Sequence, residues 1–304
     1  MAKEKTLVFK DTQSTQKISD YLELCKLKVV AVMLLTSFVG MLLASEQLPS
    51  ILIIGVGLLG IALATSSGAA INHVMDQKID EAMARTRWRP LPQGKVTSQQ
   101  ALIFAFAIGS LGIALLSFFV NPLTAWLTLL SLIGYAFIYT VWLKRATPQN
   151  IVVGGIAGAA PPLLGWTAVS GEVTADSLLL VVIIFAWTPP HFWALCLARK
   201  NDYAKAGVPM LPITHGERYT KLHILLYSVI LVLTTLLPFL TAMSGVVYLV
   251  LVSVLNVRFL QWSVRVLRDV AGSQMAMFRY SISYLMLLFA ALLIDHYFYI
   301  FIAR

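Results

Sequence analysis

Asn72, Asp76 and Asp80 stand four residues apart where a hydrophobic stretch ends, in the run Asn72-His-Val-Met-Asp76-Gln-Lys-Ile-Asp80. Each step of four along an α-helix turns by only about 40°, so a single helix would carry all three side chains on one face. Two carboxylates and a carboxamide offer hard oxygen donors only. Such a set suits Mg²⁺, which typically keeps several waters and takes further oxygens from a phosphate group. Acidic residues abutting an apolar span are costly and mark function. The spacing therefore predicts a charged headgroup held at a membrane surface while an apolar tail enters the bilayer.

The residues nearby fit a leaving group of that kind. A diphosphate ester with an allylic tail ionises when the charge developing on the diphosphate is neutralised, which calls for Mg²⁺ and cationic donors. Lys78, Arg85, Arg87 and Arg89 follow the acids, and Arg199 and Lys200 open a second polar stretch. Arg grips phosphate oxygens in bidentate fashion. Asp202, in that second stretch, could add a metal ligand from the other half of the chain, so the metal set reads Asn72, Asp76, Asp80 and Asp202.

The elements that must position these groups are membrane helices. Of 304 residues 59% are hydrophobic and only 12% charged, and the mean hydropathy is +0.80. That composition predicts an all-α, polytopic membrane protein forming one domain over 1–304, with a polar N-terminal segment at 1–20. Nine stretches can cross a hydrocarbon core of roughly 30 Å: 27–45, 51–71, 99–119, 122–143, 150–169, 176–198, 222–242, 244–262 and 280–302. With the N-terminus inside, every Lys and Arg except Arg304 falls on the cytoplasmic side. The positive-inside rule then gives a cytoplasmic N-terminus and an outer C-terminus. The net charge of +9 thus concerns membrane orientation and excludes a nucleic-acid reading. Cys25 and Cys196 lack the spacing of a metal site. Residues 1–20 show neither a signal nor a transit peptide, which favours a bacterial plasma membrane.

Polar sequence concentrates in two long cytoplasmic connections, 72–98 and 199–221, each carrying a proline-bracketed element, Arg89-Pro-Leu-Pro92 and Pro209-Met-Leu-Pro212. They sit four spans apart, as two similar halves facing one cavity would place them. Spans five and six hold the pairs Pro161-Pro162 and Pro189-Pro190. A break at the second pair should aim His191, Phe192 and Trp193 into the cavity, and an intramembrane histidine is a functional candidate. His73 should point about 100° away from Asn72 and so lie off the metal site.

The motif Asn72-x₃-Asp76-x₃-Asp80 followed by Arg85-Thr86-x-x-Arg89-Pro90 resembles the first signature of the intramembrane aromatic prenyltransferase superfamily. Three details resemble its protohaem IX farnesyltransferase (haem O synthase) branch. They are Asp80-x-x-Met83-x-Arg85-Thr86-Arg87-x-Arg89-Pro90-Leu91-Pro92, Thr188-Pro-x-His191-Phe192-Trp193-Ala194-Leu195 and Asp202-Tyr203-x₃-Gly207-x-Pro209-Met210-Leu211-Pro212. The resemblance implies nine helices around a cavity open to the cytoplasmic side. It also implies transfer of a farnesyl group from farnesyl diphosphate, with water, to haem B, giving haem O and diphosphate for terminal oxidases. Mg²⁺ is the implied cofactor. A haem A synthase or oxidase assembly factor is the implied partner. Lys28 and Tyr203 join the diphosphate set, and His191 and Trp193 become haem contacts, His191 either on the iron or at a propionate. Two positions depart from the family pattern. Ala198 stands where a second acid would precede Asp202, and Lys26-Leu27-Lys28 replaces Lys-Pro-Arg.

Three other readings compete. A prenyltransferase acting on an aromatic acid would show paired acids in the second connection and no His-Phe-Trp. A transporter would hold its acids near the midplane. A haem scaffold without catalysis would not need the acid and arginine constellation.

Overall fold

The computed structural model describes residues 17–302; the polar stretch 1–16, Ala303 and Arg304 lie outside the described residues. Helix α1 (Lys17–Leu24) meets α2 (Leu27–Leu43) at a 51° bend, so the two form one broken span. α3 (Ile51–Met75) is followed by the six-residue α4 (Gln77–Ala82) and then α5 (Ser98–Phe119). α6 (Pro122–Ile133) continues without a break as a π-helix over Gly134–Leu143, closed by the short α7 (Lys144–Ala146). α8 (Asn150–Ala159) and α9 (Pro161–Ser170) share a span, and α10 (Ala175–Ala198) makes the next. Short helices α11 (Lys200–Lys205) and α12 (Leu211–Thr214) lead to α13 (Glu217–Leu240), α14 (Val246–Leu267) and α15 (Ser273–Ile302). Among the described residues the nine expected spans are present, eight as long helices or helix pairs and one as the bent pair, and the protein is a polytopic membrane protein.

Local chemistry sets the ends. Thr97 and Gln100 form a reciprocal capping box at the start of α5, and Thr174 with Ser177 does the same for α10. Asn121 caps α6 with Pro122 in the first turn, where a missing N–H costs nothing. The two proline pairs behave differently. Pro161-Pro162 starts a new helix after Ala160, and Ser37 Oγ donates to the Pro161 carbonyl at 2.9 Å. Pro189-Pro190, expected to break its span, lies inside a continuous α10. Side chains secure that segment: Thr188 Oγ1 donates to the Ile184 carbonyl and Trp187 Nε1 to the Ser281 carbonyl, both at 2.8 Å.

One large apolar core fills the space between α10, α13, α14 and α15, and two smaller ones lie among α2, α3, α5 and α9. α14 starts on a buried carboxylate, for Asp295 of α15 accepts from the amides of Gly245 and Tyr248 at 2.6 and 2.9 Å. α2 and α9 touch backbone to backbone. A Cβ on Gly165 would overlap the Ser37 carbonyl, and one on Gly40 would overlap that of Pro162. Helices approach this closely in membranes only through small residues. Gly165→Ala should therefore force the pair apart and cost about 1–3 kcal/mol, the usual range for overpacking. Gly55→Ala, which meets open space, should be neutral or slightly stabilising; equal thermal stability of the two variants in detergent would refute the close-contact account.

Candidate functional site

A cavity of about 710 Å³ lies between α2, α3, α8, α10, α15 and the π-helix, within the usual size range of small-molecule sites. Its charged end is built by Lys26, Lys28, Asn72, Asp76, Asp80, Arg85, Arg89, Lys144 and Tyr203; the remainder is mainly apolar and aromatic. Five cations face two carboxylates there, so the end carries a net positive charge suited to a polyanion.

α3 stops at Met75 and α4 begins at Gln77, so Asn72 to Asp80 is not the single helix the spacing predicts. Asp76 at the junction adopts φ −93° and ψ 4°, the sparsely populated bridge region where many active-site residues sit. The chain bends, yet the Asp76 amide still donates to the Asn72 carbonyl and that of Asp80 to the Asp76 carbonyl. The step of four survives the bend. All three side chains are buried and all three line the cavity. Asn72 Nδ2 donates to Asp76 Oδ2 at 2.8 Å and to Thr140 Oγ1 at 3.2 Å, while Lys26 Nζ donates to Asn72 Oδ1. Lys144 Nζ pairs with Asp76 Oδ2 at 2.6 Å, and Arg89 Nη1 reaches both Asp80 oxygens at 2.9 and 2.7 Å.

Lys26, noted only within Lys26-Leu27-Lys28, and Lys144 join the site unexpectedly, and backbone geometry explains both. Lys26 has φ 51° and ψ 49° at the α1–α2 bend, a left-handed conformation that costs a non-glycine residue about 1–2 kcal/mol. Its hydrogen bond to Asn72 offsets that strain. Lys144 depends on the π-helix. Its i to i+5 hydrogen bonding gives roughly 4.4 residues per turn, against 3.6 in an α-helix. Tyr135, Tyr139, Thr140 and Lys144 then fall on one face, whereas α-helical winding would carry Lys144 about 180° from Tyr135. The Tyr135 and Tyr139 rings stack at 5.7 Å beside the carboxylates.

The aromatic wall holds His191. Its ring lies between Trp187, 4.1 Å away at 18°, and Phe278, 4.7 Å away at 27°. His191 Nδ1 meets Ser281 Oγ at 2.6 Å.

Several expected site residues lie away from the cavity lining. Trp193 is fully buried against His223 and Tyr227 of α13, because two residues along the unbroken α10 turn it about 200° from His191. Trp187, four residues back, shares that face. Asp202 is displaced by its neighbour: Tyr203 faces the cavity, and one residue turns Asp202 about 100° aside. Lys200 pairs with Glu217 at 2.9 Å, and Arg199 is exposed at the α10–α11 turn. Lys78 is exposed and turned from the acids by two residues, and Arg87 is exposed over the Trp88 ring at 4.7 Å. His73 is buried off the cavity, as expected, with both ring nitrogens unpartnered. Burial, with the Cys196 thiol next in weight, pushes the Tyr203 phenol well above its ordinary pKa, keeping it a neutral donor.

Residues 33–289 match the model of the UbiA prenyltransferase family. A relative from Hahella chejuensis, named protoheme IX farnesyltransferase, is 62% identical over 293 residues, covering 95% of this chain and 98% of its own. This chain belongs to the UbiA prenyltransferase family. Solved UbiA-type folds agree with the helix arrangement. A digeranylgeranylglyceryl phosphate synthase superposes with a TM-score of 0.77 at 20% identity, covering 92% of this chain and 99% of its own. A UbiA homologue from Archaeoglobus fulgidus, bound to GPP and Mg²⁺, gives 0.63 at 18% identity, covering 90% and 99%.

One carboxylate oxygen of the site is left over by its hydrogen-bond and ion-pair network: Asp76 Oδ1 is buried and has no hydrogen-bond partner. Among the described residues no three His, Cys, Asp or Glu side chains cluster as a complete metal cage. Two carboxylates and one carboxamide thus leave room for oxygens from a phosphate and water. The Asp76–Lys144 pair gives a sharp expectation. Lys144→Met leaves a buried charge uncompensated and should destabilise by about 3–5 kcal/mol. The double variant Lys144→Met/Asp76→Asn should recover most of that stability without recovering activity; a single variant as stable as the parent would show that the pair carries no such energy.

Proposed function

We propose that this chain transfers a farnesyl group from farnesyl diphosphate to a vinyl group of haem B, with addition of water, giving haem O and diphosphate. The observation that carries this reading is one cavity with a cationic, carboxylate-bearing end and a histidine between aromatic rings on its wall. The named activity of a relative 62% identical over nearly the whole chain supports it. The alternatives fit less well: the acids lie at a helix end and not at midspan, and a mere scaffold has no use for ion-paired acids facing a cavity.

The diphosphate headgroup belongs among Lys26, Lys28, Arg85, Arg89 and Lys144, with Tyr203 as a neutral donor. Asn72, Asp76 and Asp80 would hold Mg²⁺, with Asp76 Oδ1 the carboxylate oxygen that no other group occupies. The metal supplies charge neutralisation to the leaving diphosphate. Asp202 lies off the cavity wall and would need α11 to turn before it could contribute. When the allylic C–O bond breaks, its electron pair leaves with the diphosphate, where Arg89 and Lys144 meet the new charge. Tyr135 and Tyr139 offer ring faces to the allylic cation. The vinyl carbon of haem B attacks that cation, and water adds to the resulting porphyrin-stabilised cation with loss of a proton. His191 contacts the haem at its iron or at a propionate.

The whole chain then acts as one domain in a bacterial plasma membrane, N-terminus and charged end facing the cytoplasm, as the distribution of Lys and Arg favours. Haem O would pass to a haem A synthase or to a terminal oxidase under assembly. Membranes carrying the protein, given haem B, farnesyl diphosphate and Mg²⁺, should form haem O detectable by mass. Asp76→Ala and Asp80→Ala should each abolish product at matched protein levels, and Asn72→Ala should be milder. Arg85→Ala and Arg89→Ala should slow single turnover by about 2.7–4 kcal/mol, as loss of a donor to a developing anion does elsewhere. Unchanged haem O formation in either Asp variant would remove the metal site from the mechanism.

A further inference from the structure

His191 is held by more than its position on α10. Its two ring faces are covered by Trp187 and Phe278, so only the ring edges remain available. One edge is taken, with Nδ1 2.6 Å from Ser281 Oγ. Ser281 has a single hydroxyl proton, and its Oγ also lies 2.7 Å from the Phe278 carbonyl, one turn back on α15. A carbonyl can only accept, so the hydroxyl proton goes to Phe278 and Ser281 Oγ is left to accept from the imidazole. Nδ1 therefore carries the ring proton and Nε2 carries the lone pair. Nε2 has no hydrogen-bond partner, is not among the sealed polar atoms, and belongs to a residue that lines the cavity.

We infer that Ser281 is a positioning residue that locks His191 in the tautomer whose Nε2 lone pair faces the cavity, making it a ligand for the iron of a metalloporphyrin. The inference rests on the haem reading above and chooses between its two contacts. A propionate oxygen needs a donor, and a neutral imidazole protonated on Nδ1 has none to give at Nε2. An iron needs the lone pair. A ring gripped on both faces also holds its edge in a fixed plane, as axial ligation requires. Metal-bound histidines commonly donate the second ring N–H to a neighbouring acceptor, and losing that acceptor costs about 10–100-fold in metal affinity.

The test uses the purified full chain and two probes, haem B and metal-free protoporphyrin IX, which carry the same propionates. The parent should prefer haem B and show a Soret band of histidine-ligated iron. Ser281→Ala should lose about tenfold or more of that preference and shift the band, with protoporphyrin affinity unchanged, and Ser281→Thr should restore both. Should Ser281→Ala fail to fold, His191→Gln reads the same preference and should abolish it. An equal loss for both porphyrins would overturn the lock in favour of a propionate contact. Unchanged preference and spectrum would overturn it outright while leaving haem as acceptor. A parent that binds neither porphyrin would overturn the acceptor reading and the lock together.

Discussion

A carboxylate withdrawn from water must be compensated, and in this molecule the charge partners come from outside the acids' own helices. Asp76 is 3% exposed and takes its charge partner from the end of the π-helix, through Lys144, and a hydrogen bond from Asn72 of α3. Asp80 takes Arg89 from the turn after α4, and Asn72 is held in turn by Lys26 at the α1–α2 bend. An unpaired charge in this setting would cost several kcal/mol. The network thus fixes the relative positions of three spans and one connection. Three irregular backbone features of this half serve it. They are the left-handed Lys26, the bridge-region Asp76 and the π-wound Gly134–Leu143 segment, and each brings a polar group to the same end of the cavity.

The spans were legible because long uninterrupted apolar runs leave the backbone little choice in lipid but helix. That Asn72, Asp76 and Asp80 share one wall was legible because the step of four persists through hydrogen bonds even where the helix bends. Lys144 was not, because it shares a face with Tyr135 and Tyr139 only where the segment before it winds as a π-helix, which no residue there announces. Lys26 was hidden because nothing in Cys25-Lys26-Leu27 announces a left-handed residue. Trp193, expected beside His191 as a haem contact, lies off the cavity for the opposite reason. Pro189-Pro190 suggested a break, whereas in the continuous helix Trp187 at four residues shares the face of His191 and Trp193 at two residues opposes it. In the second connection the cavity side is taken by Tyr203 and not Asp202, and a six-residue helix has too little pattern to reveal its inward face.

The two halves echo each other more in backbone than in chemistry. α3 and α10 each end in a single non-helical residue, Asp76 and Arg199, followed by a six-residue helix. In the first half that short helix turns Asp80 inward; in the second it turns Tyr203 inward. A second carboxylate pair facing the first would have raised the cost of bringing acids together without ligand. A phenol held neutral by burial adds a donor and no charge.

On the proposed reading the ion pairs also explain why acids belong in a site that receives an anion. Lys26, Arg89 and Lys144 converge in a medium of low dielectric, where mutual repulsion is strong. Asp76 and Asp80 hold them together until an anion arrives, so the cations need little reorganisation when it does, which is the condition under which electrostatic stabilisation is most effective. On the proposed reading the same arrangement separates two demands of the chemistry. Charge is neutralised at the polar end, where the leaving group stays. The allylic cation is left facing tyrosine rings and apolar helix walls, where an uncontrolled water would otherwise trap it before the porphyrin vinyl group could. A histidine fixed in its plane between two aromatic rings then limits where that vinyl group can stand, so acceptor position and leaving-group position are set by different helices of one bundle.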